Sequence, residues 1–167
     1  MVELLLLWFF PALMTAAAVS DLLTMTIPNR LSLALAAGFG LACAVAGLGL
    51  PQTAAHVSAG AAMLVLGFAG YAFGWIGGGD AKLFAAAALW FGWETLGEYA
   101  LAAGILGGGL TLAVLVLRQV PLPAPQHQGW LLRLHDPKAG VPYGIALAAA
   151  AILLYPHTIW FVQAAAR

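Results

Sequence analysis

Between Arg30 and Asp80 the chain reads LSLALAAGFGLACAVAGLGLPQTAAHVSAGAAMLVLGFAGYAFGWIGGG, Leu31 to Gly79, without one Asp, Glu, Lys or Arg. A bilayer-spanning helix takes about 20 apolar residues. The stretch therefore predicts two spans, Leu31 to Leu50 and Val57 to Ile76, divided where Pro51, Gln52 and Thr53 signal a turn. Toward the N-terminus, the run Val2 to Val19 ends at Ser20 and Asp21. Ala16, Ala17 and Ala18 resemble a signal-peptide cleavage site, but Glu3 stands where such a peptide carries Lys or Arg, so the run is read as a retained span. Toward the C-terminus, Gly77, Gly78 and Gly79 break the third helix, because glycine has little helical preference. Further runs follow at Ala81 to Trp93, Tyr99 to Leu117 and Val141 to Val162, the first of them short for a span unless it continues past Glu94 toward Gly97. The expected fold is all-α: a polytopic integral membrane protein with six transmembrane helices, in one membrane-embedded domain over residues 1–167.

Composition agrees with that reading. Of 167 residues, 63% are apolar and 7% charged, with a mean hydropathy of +0.98, where a soluble domain carries about 25% charged residues. The formal net charge of zero supplies no basic surface for a nucleic acid backbone. Cys43 is the one cysteine, which excludes an internal disulfide and a cysteine-rich zinc site. His56, His127, His135 and His157 fall on opposite sides of the expected membrane, so no metal and no cofactor is expected. Trp75, Trp90 and Trp93 are assigned to interfacial belts. The one sizeable polar loop, Arg118 to Gly140, contains Pro121, Pro123 and Pro125, and its Trp130, Leu131, Leu132 and Leu134 suggest a stretch lying on the membrane interface.

Short loops rich in Lys and Arg stay in the cytoplasm. Arg30, Lys82, Arg118, Arg133 and Lys138 all fall on one side of the six-span arrangement, and only Arg167 falls opposite. Both termini are therefore expected outside, with Asp21 and Asp80 at the cytoplasmic rim.

Either aspartate alone is adequately explained as a wet helix end, and Asp80 also suits a helix N-terminus. As a pair they imply more. Two carboxyls facing one cavity can share a proton, so that one deprotonates water while the other hydrogen-bonds a carbonyl, which is the equipment of aspartic peptide hydrolysis. The glycines before Asp80 would let a substrate backbone come close. Lys82 either steadies a nearby carboxyl or marks the cytoplasmic side. Pro28 and Asn29 suit a helix start, with Asn29 able to cap free N–H groups. Pro142, Tyr143 and Gly144 set how the last helix begins, with the Tyr143 hydroxyl a further group within possible reach of the site. Glu94 and Glu98 are read as a solvated helix end, and no Ser or Cys stands beside a His base.

Three of these elements carry a family resemblance. Ser20-Asp21-Leu22-Leu23-Thr24-Met25-Thr26-Ile27-Pro28-Asn29 resembles the first-aspartate region of type IV prepilin peptidases. Gly77-Gly78-Gly79-Asp80-Ala81-Lys82-Leu83 is similar to their Gly-x-Gly-Asp signature, and Val141-Pro142-Tyr143-Gly144 to the Pro-Tyr-Gly element that opens their last helix. The elements occur in the family's order. Larger members add a four-cysteine cytoplasmic region and methylate the new N-terminus, so this chain looks like the short form associated with tight-adherence (Flp) pili, without a methyltransferase domain. The resemblance implies a membrane aspartic endopeptidase that cuts the short basic leader from a prepilin on the cytoplasmic side of the bacterial inner membrane, through Asp21 and Asp80. The partners it implies are the prepilin helix and the lipid bilayer, with oligomeric state open. The rival readings are a small proton or cation transporter built on intramembrane aspartates and a non-catalytic pilus-assembly protein.

Overall fold

Helices α1 (Val2–Thr24), α2 (Asn29–Ala46), α3 (Leu50–Ala72) and α4 (Gly78–Leu117) follow one another with short connections, succeeded by α5 (Gly129–His135), α6 (Gly144–Leu154), a 3-10 turn at Tyr155–His157 and α7 (Ile159–Ala165). This computed structural model describes residues 2–120 and 129–165, and among them there is no strand. Pro121, Pro123, Pro125, His127 and Arg167 lie outside the described residues.

The long element α4 decides the architecture. Its 40 residues would form a straight rod of about 60 Å at a 1.5 Å rise per residue, twice the hydrocarbon thickness of about 30 Å. It does not run straight. At Gly92 the backbone takes φ 59°, ψ −176°, a left-handed φ that favours glycine. The rings of Phe84 and Tyr99 stack with centroids 5.0 Å apart, although fifteen residues of straight helix would separate them by about 22 Å. Residues 78–91 and 93–117 are thus two arms folded back on each other. A side chain at position 92 would also strike the His56 ring, 2.8 Å from the nearest ring atom.

A break inside a helix frees carbonyls that water cannot reach in a bilayer. Here side chains meet them. Leu89 O faces His56 Nδ1 at 2.7 Å, so that nitrogen carries the proton. Trp160 Nε1 donates to Trp90 O at 2.7 Å, and Thr95 Oγ1 donates to Phe91 O at 2.7 Å.

Among the described residues four elements are long and apolar enough to cross a membrane, against the six expected from sequence. The difference arises at two places. The expected fourth and fifth spans are the two arms of α4, which part at Gly92, beside the expected end of the fourth run at Trp93. The expected sixth is divided, with 11 residues in α6 before the 3-10 turn at Pro156. Other boundaries shift as well. Pro51 sits in the first turn of α3, where its missing N–H costs nothing, and so opens the helix that it was expected to precede. The third helix ends at Ala72 and turns at Gly74 (φ 73°), leaving Gly77 as the N-cap of α4 and Gly78 and Gly79 inside its first turn.

Packing follows membrane rules. Where lipid is as apolar as leucine, close packing of small residues holds helices together. Ala81, Ala85, Ala86, Ala87 and Ala88 of α4 are buried with Ala146, Ala148, Ala150 and Ala151 of α6, while Val65, Leu66, Phe68, Leu101, Ile105, Leu112 and Val116 point outward. The chain is a membrane protein. Trp75 and Trp93 are exposed, but Trp90 is 1% exposed and donates Nε1–H to Leu35 O at 3.0 Å, so it belongs to the core and to no interfacial belt. It packs with Phe10, Phe39 and Trp160 at one end of the bundle.

Candidate active site

The two aspartates lie at the other end of the bundle. Asp21 lies in the last turn of α1, inside the helix that was expected to end before it, because the helix continues to Thr24. The chain then reverses through Met25, a non-glycine residue at φ 55°, a conformation uncommon without a stabilising context. Polar side chains supply that context: Ser20 Oγ donates to Thr26 O at 2.9 Å and Thr24 Oγ1 to Ser20 O at 2.7 Å. This knitted turn delivers Ile27 and Pro28 to the start of α2.

Asp21 is 5% exposed. Its Oδ2 accepts the backbone N–H of Gly144 at 2.7 Å, one of the N–H groups left free at the first turn of α6. The close approach requires glycine, since a Cβ at 144 would lie 2.9 Å from Asp21 Oδ2 and 2.9 Å from Ile27 Cδ1. The Pro-Tyr-Gly element therefore does more than start a helix: its glycine holds the first aspartate. No sequence pattern announces a contact between residues 21 and 144, and the signal that could have found it was the glycine directly after a helix-opening Pro-Tyr.

Asp80 occupies the first turn of α4. Its Oδ2 folds back over Gly77, 2.7 Å from where a Cβ there would sit, while Gly79 leaves room for Ile27, whose Cβ would be 3.2 Å from a Cβ at 79. Tyr71 fills the space beside Gly78. The three glycines were expected to clear a path for substrate, but the room they leave is taken by the protein's own Asp80, Tyr71 and Ile27. Ile27 thus touches the Asp21–Gly144 contact on one side and the Asp80 turn on the other. Both aspartates are therefore placed around the one side chain of Ile27.

Asp80 Oδ1 is buried and has no hydrogen-bond partner, an uncommon condition for a carboxylate oxygen. Asp80 lines a cavity of about 280 Å³ bounded by Gly67 of α3, Phe84, Ala103 and Gly104 of the two α4 arms, and Tyr143 and Leu147 at the start of α6.

The neighbours take other roles than expected. Lys82 Nζ donates to Asn29 Oδ1 at 2.9 Å, so its recorded partner is an amide and not a carboxyl, and it ties the start of α4 to the start of α2. Asn29 caps nothing, because Pro28 is the N-cap residue and no side chain bonds the free N–H groups there. The Tyr143 hydroxyl donates to Ala103 O at 3.1 Å on the second arm of α4, with its ring seated against Gly107. Pro142 is buried.

Two arginines position the polar loop. Arg118 donates to Leu134 O at 2.7 Å, Ala139 O at 2.9 Å and Gly140 O at 3.0 Å. Arg133 of α5 donates to Leu23 O, two residues beyond Asp21. The stretch expected on the membrane surface is thus fastened to the end of α1, with Leu134 buried.

The model of the type IV leader peptidase family matches residues 8–112, which include Asp21, Ile27, the Gly77–Asp80 run and Lys82; the Pro-Tyr-Gly element lies beyond it. No curated protein and no solved structure matches the chain. More than half the chain fits the family, both aspartates lie inside the matched span, and the fold sets them at one end of a helical membrane bundle: the chain belongs to the type IV leader peptidase family.

Proposed function

We propose that this family member is an aspartic endopeptidase that hydrolyses one peptide bond in a membrane-inserted prepilin of the tight-adherence (Flp) type, with Asp21 and Asp80 as its catalytic pair. The observation that carries the reading is the convergence of two acidic side chains, far apart in the chain, at one end of an apolar bundle, one held by a backbone N–H and the other with a free oxygen beside a cavity. Acidic groups at membrane depth are costly and are found where they have a task.

The chemistry needs only these carboxyls and water. One carboxylate takes a proton from water as the water oxygen bonds to the scissile carbonyl carbon. The protonated partner hydrogen-bonds the carbonyl oxygen and stabilises the charge that develops there. When the C–N bond breaks, the leaving amine takes a proton from the first carboxyl, and the free acid end and amine end separate. Gly144 N–H fixes the orientation of Asp21 throughout.

In this reading the basic leader of the prepilin stays in the cytoplasm, where the Lys and Arg distribution puts the acidic end, and both termini lie outside the inner membrane. Residues 1–167 act as one peptidase unit.

The deciding experiment incubates purified protein with a tight-adherence prepilin in lipid and reads the new N-terminus by mass spectrometry. The expected product is a single cut at the end of the leader, lost in both Asp21→Asn and Asp80→Asn while each variant remains in the membrane. Normal processing by either variant would end the proposal.

A further inference from the structure

Asp21 is held by a backbone group, and a backbone N–H is only as well placed as the chain that carries it. The N-cap residue of α6, Tyr143, makes no side-chain bond to the free N–H groups of the first turn, so the direction of Gly144 N–H is set by the segment leading into it. That segment is fixed from a distance. Arg118, the C-cap residue of α4, donates through Nη2 to Ala139 O and Gly140 O and through Nε to Leu134 O. It lies on the same face of the second α4 arm as Ala103, Gly107 and Val114, spaced i, i+4, i+11 and i+15, and those three are buried. Ala103 O and Gly107 receive the hydroxyl and ring of Tyr143. The stretch from Ala139 to Gly144 is thus pinned to one helix face at both of its ends.

The α1 side of the contact is fastened to the same guanidinium. Arg133, next to Leu134, donates to Leu23 O in the last turn of α1, one of the carbonyls that a helix end leaves free. The bonds close a circuit. From Asp21 it runs along α1 to Arg133, through Leu134 to Arg118, and through Gly140 to Gly144, whose N–H returns to Asp21 at 2.7 Å. These acceptors are all backbone carbonyls, so the two arginines work by direction and not by pairing with a carboxylate. A guanidinium presents five N–H donors in a rigid fork, which suits three carbonyls drawn from two segments. A lysine ammonium on its flexible stem carries the same charge without fixing those angles.

We propose that Arg118 is a positioning residue for Asp21: it sets the Gly144 N–H that holds the carboxyl, with Arg133 fixing the α1 side. The consequence for cleavage rests on the proposed catalytic role of Asp21, and the positioning itself does not.

Tyr143-Gly144 is the single Tyr-Gly pair in the sequence. The full chain labelled with carbonyl-carbon-13 tyrosine and nitrogen-15 glycine therefore gives one amide signal in a carbonyl-selected NMR spectrum, that of Gly144. The test records the shift and hydrogen exchange of this signal in detergent micelles, beside the kinetics of prepilin cleavage. Arg118→Lys keeps the charge that marks the cytoplasmic side. It should nevertheless move the Gly144 signal toward its position in Asp21→Ala, which lacks the acceptor, and speed exchange at least tenfold. In the same variant kcat should fall about 10–100-fold, the scale of a small misplacement of a reacting group, with KM within about twofold of wild type. Arg133→Lys should act in the same sense and less strongly. Trp160→Phe, which loses a bond at the far end of the bundle, should leave the signal in place. An unmoved Gly144 signal in folded Arg118→Lys, a normal kcat beside a moved one, or an equal movement in Trp160→Phe would overturn the proposal. A moved signal in a protein whose wild type cuts no prepilin would support the positioning and end the catalytic reading instead.

Discussion

The two ends of this bundle treat buried polar groups in opposite ways. At the aromatic end, the three carbonyls freed by the break at Gly92 are met by His56, Trp160 and Thr95, and Trp90 is fixed to Leu35 O. At the acidic end Asp21 has one firm partner in Gly144, and Asp80 keeps an oxygen that nothing satisfies. Satisfied groups make a fold rigid, while a buried carboxyl oxygen without a partner is costly and is held only where the surrounding bundle is firm. In a membrane the first condition is needed before the second can be tolerated, since no solvent repairs a misplaced backbone group.

The comparison can be broken by substitution, beginning at the acidic end. Replacing either aspartate by asparagine removes the acid–base group and should lower the rate of prepilin cleavage by roughly 10²–10⁴-fold or more, as measured by product mass against time. Next in size is Gly144→Ala. Its methyl group would push against Asp21 Oδ2 and Ile27, so cleavage per folded molecule should fall at least tenfold, with about 1–3 kcal/mol lost from stability by overpacking. Gly92→Ala should reverse that balance. The left-handed φ and the His56 ring both oppose a Cβ, so the unfolding midpoint in detergent should fall by the equivalent of about 1–3 kcal/mol, while the folded fraction cuts at nearly the normal rate. A smaller effect is expected from Trp160→Phe, which deletes the donor to Trp90 O and should cost about 1–3 kcal/mol of stability and no activity per folded molecule. The smallest belongs to Tyr143→Phe. Because the hydroxyl is engaged with Ala103 O, the loss should be about 0.5–1.5 kcal/mol, and a more than tenfold fall in cleavage would place that hydroxyl among the reacting groups after all.

The sequence alone determined that the chain lives in a membrane, because an uncharged stretch from Leu31 to Gly79 has no soluble alternative. It also singled out Asp21 and Asp80, since carboxyls are rare in such surroundings and each lay in a motif. Helix ends were less legible. Asp21 and Pro51 were placed just outside helices that contain them, because proline and polar residues serve equally well inside a first or last turn and outside it. A reversal between the runs ending at Trp93 and starting at Tyr99 was legible, but its position at Gly92 and the division of the last apolar run were not, as both depend on partners, His56 and Trp160 among them, that come from distant helices. Only the tertiary structure decided that Gly144 would hold Asp21, that Lys82 would turn to Asn29, and that Tyr143 would face Ala103. Those choices are made by distance and direction between residues up to 123 positions apart, and apolar composition, which drives the chain into the bilayer without specifying which helix faces meet, carries no record of them.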